Sequence, residues 1–442
     1  MPLSTPTTAD PMATTPAPAH GWRWAPAWVL TFVALWPAVG IAEGVMVLGA
    51  LAAIVRLLMV RFRGGTRLLS SPAWALTSVL FFVYWLPQLI SAFDALDQGR
   101  ALRESLVDLR YLPFLWLAAA AVANRQGRHT TFNGLAIIVV VWTLDALAQV
   151  ALGTSPLFWG IDQIKQVISG RTMCSVEDTA IVDRLSGILG PCNLKLGVVL
   201  ASLSPFAMFA AGKRFGTLGW SLAAAAIGVV VLLAGARAAW LTFALVLVFS
   251  GWRLLGWKKL LGVFAFGALS LVVLSLASPQ FQERIERTAQ VLTVDESGVD
   301  VALSGRGQIW QAALCMVREH PVNGVGARNF RRAYPACDPN PEAVPAWGKG
   351  PAFHAHQIVL EILSETGFIG LLLWLSGAAM AWRAWRYATL EARDRARPAM
   401  LALAVTVFPF NTHLAFYSTF WGGLTLLLAA LYAGGLLARE DD

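Results

Sequence analysis

Two histidines one residue apart, His354-Ala355-His356, and three arginines in apolar or glycine-bearing surroundings are the residues best suited to chemistry. An imidazole titrates near neutral pH and needs little tuning to act as a general base. A packed, hydrogen-bonded histidine pair is the plainer reading. The two-residue spacing suits one metal ion poorly, and no adjacent cluster of cysteines or carboxylates completes a site, so neither metal nor cofactor is expected. The arginines are Arg184 in Asp183-Arg184-Leu185-Ser186-Gly187, Arg237 in Gly235-Ala236-Arg237-Ala238-Ala239-Trp240, and Arg306 in Ser304-Gly305-Arg306. A guanidinium is always charged, and its planar fork holds phosphate oxygens in pairs. Arg237 stands between two very apolar runs, where a charge costs about 2.5–3.5 kcal/mol at mid-membrane and less toward the interface. Snorkelling to lipid phosphates would explain one such arginine; three together suggest a diphosphate clamp. Glu361 and Glu365 follow the histidines one helical turn apart and could line the same pocket. Asp145 and His413 are isolated, suited to a helix–helix hydrogen bond or a proton relay. Aspartate pairs that would hold a metal-bound nucleotide sugar are missing from the long loops, as is a glycine-rich phosphate loop.

The elements that position these residues are set by composition. Of 442 residues, 57% are hydrophobic and 14% charged, against about 25% charged in soluble domains. Lipid must cover most of such a chain. Hydrocarbon offers no partner to an open backbone group, so helices are the expected spanning form. We read an all-α polytopic membrane protein with about twelve transmembrane helices, at roughly 24–41, 44–60, 72–91, 106–123, 133–152, 193–211, 216–234, 238–252, 259–277, 358–382, 399–415 and 418–437. The net charge of +8 is no nucleic-acid signal. Fifteen basic residues, among them Arg61, Arg125, Lys213, Arg253 and Arg395, fall in the short loops of one side, against three (Arg100, Arg103 and Arg237) on the other. By the positive-inside rule both termini are cytoplasmic.

Residues 1–21 then form a disordered cytoplasmic tail, and 22–277 carry spans 1–9 with an external loop at 153–192. Residues 278–357 make a large, partly helical external loop between spans 9 and 10, 358–438 carry spans 10–12, and 439–442 end in the cytoplasm. Within the large loop, Ser304 reads as an N-cap, and Ile309, Ala312, Ala313, Met316 and Val317 form an apolar helical stripe that Pro321 ends. The four cysteines lie in or beside the two external segments, which suits disulfides in an oxidising compartment. Cys174–Cys192, closing a short loop, is the pairing we favour; free buried thiols remain the alternative.

Three stretches resemble the O-antigen ligases, within the lipid-linked polysaccharide ligases and polymerases of GT-C-like membrane fold. His356-Gln357, nine residues, Gly367, two residues and Gly370 is similar to the ligases' His-[Asn/Ser/Gln]-x9-Gly-x2-[Gly/Thr/Tyr] pattern. Arg237-Ala-Ala-Trp-Leu241 looks like the family's Arg-x3-Leu element. Ser304-Gly305-Arg306 through Trp310, then His320-Pro321 and Gly324-Val325-Gly326, resembles the start of the large periplasmic loop shared with the polymerases. The resemblance implies transfer of O-antigen from undecaprenyl diphosphate to a sugar hydroxyl of lipid A–core oligosaccharide, at the periplasmic face of the bacterial inner membrane. It assigns His356 as the essential histidine and Arg237 and Arg306 as functional arginines; His354, Gln357 and Arg184 are added beside them. The partners it implies are the two glycolipids and membrane lipid, with no nucleic acid. An O-antigen polymerase or a protein O-oligosaccharyltransferase of the same superfamily is the nearest alternative. A twelve-span transporter is the one outside the enzymes, disfavoured because no internal repeat is visible and the polar groups gather at one face.

Overall fold

In the computed structural model, residues 22–175, 184–277, 306–342, 350–410 and 415–438 are described. His413, the Ser304 cap and both terminal tails lie outside them. The described residues are helical and include no strand. They form α1 (Ala25–Ala34), α2 (Val39–Arg63), α3 (Ser71–Ala92), α4 (Gln98–Asp108), α5 (Tyr111–Ala120), α6 (Arg125–Leu152), α7 (Pro156–Ser169), α8 (Leu196–Leu233), α9 (Arg237–Ala277), α10 (Arg306–Glu319), α11 (Phe330–Cys337), α12 (Ile358–Tyr387), α13 (Leu390–Thr406) and α14 (Thr419–Leu436). Short polar side chains start many of them. Asn124 Oδ1 accepts from Gly127 N–H at 2.7 Å, and Ser70, Ser155, Thr389 and Ser418 cap α3, α7, α13 and α14 in the same way.

This is a polytopic helical membrane protein, but the count of twelve is not what the structure gives. Seven helices among the described residues are long and apolar enough to cross a bilayer: α2, α3, α6, α8, α9, α12 and α14. The segments read as spans 1 and 4 fold as helices of 10 residues, and that read as span 11 as one of 17, short of the ~20 that a crossing needs. The paired spans 6/7 and 8/9 are each two helical segments that meet at one glycine outside helical geometry: Gly216 at φ 63° and Gly256 at φ 72°. α8 folds back there. A Cβ added to Gly197 would lie 2.9 Å from the Cβ of Ala234, residues that a straight helix would hold about 55 Å apart. Leu260 beside Gly251 marks the same reversal in α9.

α14 is the central helix, buried along nearly its whole length among α3, α5 and α13. Outer helices such as α2 turn Leu48, Leu51 and Val55 outward, the apolar face a bilayer requires. The segment between α9 and α12 builds a small core of its own. Ile309, Ala312, Ala313 and Met316 of α10 pack on Val325, on Phe330 and Tyr334 of α11, and on Ala352 and Ala355. A disulfide, Cys315–Cys337, ties α10 to α11. This subdomain docks on the end of α3: Ala327 N–H donates to Ser91 Oγ at 3.2 Å, and Asn323 Nδ2 to Asp94 at 3.3 Å.

Candidate active site

The histidine pair sits where the subdomain core hands the chain to α12. Ala355 is fully buried in that core, and its carbonyl accepts from Trp310 Nε1 of α10 at 3.1 Å. Gln357 caps α12, its Oε1 accepting from Leu360 N–H at 2.6 Å and its Nε2 donating to the Pro409 carbonyl at 3.0 Å. Pinned on both sides, His356 takes φ 53°, a left-handed conformation that costs an L-residue about 1–2 kcal/mol and that marks functional positions more often than others. Its N–H donates to His354 Nδ1 at 3.2 Å, and the rings stand 3.8 Å apart. His354 Nδ1 is therefore an acceptor, and the proton of this neutral ring is on Nε2. The 3.6 Å approach of Glu361 Oε2 to that Nδ1 is then no ion pair. His356 Nδ1 is buried and has no hydrogen-bond partner among the described residues.

The three arginines come from three separate elements. Arg237 is the first residue of α9, after the turn at Gly235, and Trp240 Nε1 staples that turn by donating to the Val231 carbonyl at 3.2 Å. Arg184 opens the segment that leads to a 3-10 turn at Gly187–Leu189. Two contacts hold that segment: Leu185 N–H donates to the Leu233 carbonyl at 3.5 Å, and Gly187 N–H to Gln149 of α6 at 2.7 Å. The Cys174–Cys192 disulfide closes the loop around it. Arg306 is the first residue of α10.

Electrostatics shows how close these groups stand. Burial, then the charges of Arg237 and Arg184, pull Arg306 down to about 10. Burial, then Lys195 and Arg306, pull His354 down to about 4. Burial, then His354 and Arg306, pull His356 down to about 2. The charge of Arg306 thus acts on both histidines, and those of Arg237 and Arg184 act on Arg306. Both imidazoles are neutral at physiological pH. Arg237 and Arg306 each open a helix, and Lys195 immediately precedes α8. The positive ends of the α8 and α9 dipoles therefore add to the cations. Such a pole suits an anion with several oxygens, next to a neutral base.

Lys195 is a residue that the sequence reading passes over; its ammonium lies 4.5 Å from the Phe420 ring. The only signal for it was its place at the end of an external loop. Arg328 is the second. Its side chain donates to Glu104 (3.0 Å), Asp108 (2.8 Å) and the Tyr417 carbonyl (2.6 Å), and its N–H to Glu365 (2.8 Å). It locks the subdomain to α4, α12 and the turn before α14. Of the two carboxylates expected to line one pocket, Glu361 approaches His354, whereas Glu365 faces Arg328. Asp145 accepts from Ser155 Oγ (2.7 Å) and Leu157 N–H (2.9 Å), which makes it an anchor for the start of α7 rather than a proton relay.

The motif glycines have a backbone role. α12 breaks at Gly367, φ 64°, and the freed groups are taken up by the subdomain. Phe368 and Ile369 N–H donate to the Pro321 and Val322 carbonyls at 2.9 and 3.1 Å; Val325 and Gly326 N–H donate to the Ser364 and Glu365 carbonyls at 2.9 and 3.0 Å. A Cβ on Gly367 would lie 2.3 Å from the Val322 backbone, and one on Gly324 2.3 Å from that of Glu365. The spacing from His356 to Gly367 is therefore the length of the helical segment that carries the histidine turn to its mooring.

Cys315, Glu319 and Cys337 converge closely enough to hold an ion, but the disulfide occupies both sulfurs. Residues 222–375 match a family model described as O-antigen ligase. The match takes in Arg237, Arg306 and both histidines; Arg184 and Lys195 lie upstream. No curated protein matches the chain.

Proposed function

We propose that this protein is an O-antigen ligase, a reading supported by the match of residues 222–375 to the family model of that description. In this reading it moves O-antigen polysaccharide from undecaprenyl diphosphate to a sugar hydroxyl of lipid A–core oligosaccharide, on the periplasmic face of the inner membrane. The observation that carries the proposal is the meeting of Arg184, Arg237 and Arg306 with a neutral His356 at one pole. The polyprenyl chain would lie against the apolar helices and its diphosphate among the arginines. The acceptor hydroxyl attacks the anomeric carbon as the bond from that carbon to the diphosphate oxygen breaks. The hydroxyl proton passes to the neutral imidazole of His356. The electron pair leaves with the diphosphate, and guanidiniums already in place stabilise the growing charge. They take the part a divalent ion would otherwise play. Attack opposite the leaving group inverts the anomeric centre.

A low basicity at rest agrees with this sequence of events. Burial depresses both imidazoles most, and the Arg306 charge adds to it; a bound diphosphate would offset the Arg306 part and raise the basicity of His356 where the proton is released. His354 positions the base through its bond to the His356 N–H. The test is acceptor identity. A strain lacking the protein is expected to accumulate polymer on the carrier lipid and leave lipid A–core bare. Shortened polymer on an otherwise decorated core would point to a polymerase, and loss of glycan from protein to a protein O-oligosaccharyltransferase.

A further inference from the structure

A second charged site lies at the other end of the helices. Arg125 and Arg128 open α6, Lys213 stands just before the Gly216 reversal of α8, and Arg395 and Arg397 lie on α13; together they line one cavity of about 810 Å³. Lys195, beside the histidines, and Lys213 are separated by eighteen residues of α8, about 27 Å of helix, so this cavity belongs to the opposite pole. Five cations line it against one carboxylate, Asp394, and that carboxylate is paired with Arg397. Arg128 lies within electrostatic reach of both Arg125 and Arg395, like charges that repel unless an anion joins them.

The cavity is not merely a basic rim. Phe132, Phe206 and Phe209 form its inner wall, and the rings of Phe132 and Phe206 are 5.2 Å apart. An inorganic ion would use the cations and leave that aromatic wall unused. An amphiphile uses both, with its phosphate among the guanidiniums and the start of its acyl chains on the rings. Basic pockets between membrane helices are where acidic lipid headgroups are held.

We propose that this cavity is a binding site for an anionic phospholipid headgroup, separate from the histidine pole and independent of the transfer reaction assigned there. The full chain is reconstituted in nanodiscs of phosphatidylcholine, phosphatidylglycerol is titrated in, and retained lipid is counted by native mass spectrometry. One saturable phosphatidylglycerol per chain is expected. Arg125 and Lys213 are exposed, so R125E/K213E keeps the packing, and it should lower the apparent affinity roughly tenfold or more. A control reversal on α2, R61E/R63E, should leave it within about twofold, because those residues line no part of the cavity. K213Q alone, the mildest change, should lower it about threefold. Equal loss in the α2 control would reduce the effect to general attraction by a basic surface and overturn the proposal. So would unchanged binding in both cavity variants, or full competition by millimolar inorganic phosphate.

Discussion

At the residue scale, the proposed function rests on His356, held in the left-handed region at φ 53°. His356 is fixed by the buried Ala355 before it and the Gln357 cap after it, so the backbone sets where its side chain leaves the chain. His356→Ala should lower transfer by roughly a hundred- to ten-thousand-fold, the usual contribution of a general base, while carrier lipid still binds. Glycan transfer at the normal rate by the folded variant would remove the base assignment. The pH dependence follows from the same neighbourhood. Depressed histidine pKa values favour the neutral form, so competence is lost only when pH falls through the depressed values of about 4 and about 2. In the free enzyme, kcat/KM should therefore show no acid limb near 6.5 from these groups. In the donor complex Arg306 is neutralised, and the acid limb of kcat should lie at higher pH than that of kcat/KM. A kcat/KM that halves near pH 6.5 beside a flat kcat would contradict this ordering.

At the element scale, the subdomain and the broken helix α12 support one another. The four hydrogen bonds at Gly367 replace those that the break removes from α12, and the close approach leaves no room for a side chain. Gly367→Ala meets both an unfavourable φ and a backbone contact at 2.3 Å. It should cost more than about 1 kcal/mol and lower transfer although it touches no substrate. Thermal unfolding in detergent, read beside activity, checks both. Arg328 is the second support. Its removal leaves Asp108, only 1% exposed, without its partner, a loss of about 3–5 kcal/mol for a buried pair broken on one side. Arg328→Ala should lower the melting temperature and the transfer rate together, and a variant that melts like the parent would show that the lock is dispensable.

At the scale of the whole molecule, the two poles of the bundle do different electrostatic work. One gathers arginines from loops far apart in sequence around a neutral imidazole; the other gathers cations around an aromatic cavity. If guanidiniums supply all the positive charge the leaving diphosphate needs, transfer by purified protein should be unchanged in EDTA. Loss of activity in EDTA that Mg²⁺ or Mn²⁺ restores would sink the arginine clamp.

The sequence by itself determined whatever depends on composition and local pattern. A low charged fraction forces lipid exposure and hence helices, and the apolar stripe at Ile309, Ala312, Ala313 and Met316 marks the face that α10 buries. The histidine, arginine and glycine spacings singled out the residues proposed for the site. The span count was less legible. Hydropathy measures how apolar a segment is, and it cannot distinguish the ten residues of α5, seven of them buried among other helices, from half of a crossing. Tertiary structure alone decided the rest. Arg184, Arg237 and Arg306 come together through a disulfide-closed loop, a stapled turn and a docked subdomain, each a contact between residues remote in the chain. Lys195 and Arg328 carry no local signal, because what a charge does depends on which groups folding brings within a few ångströms of it.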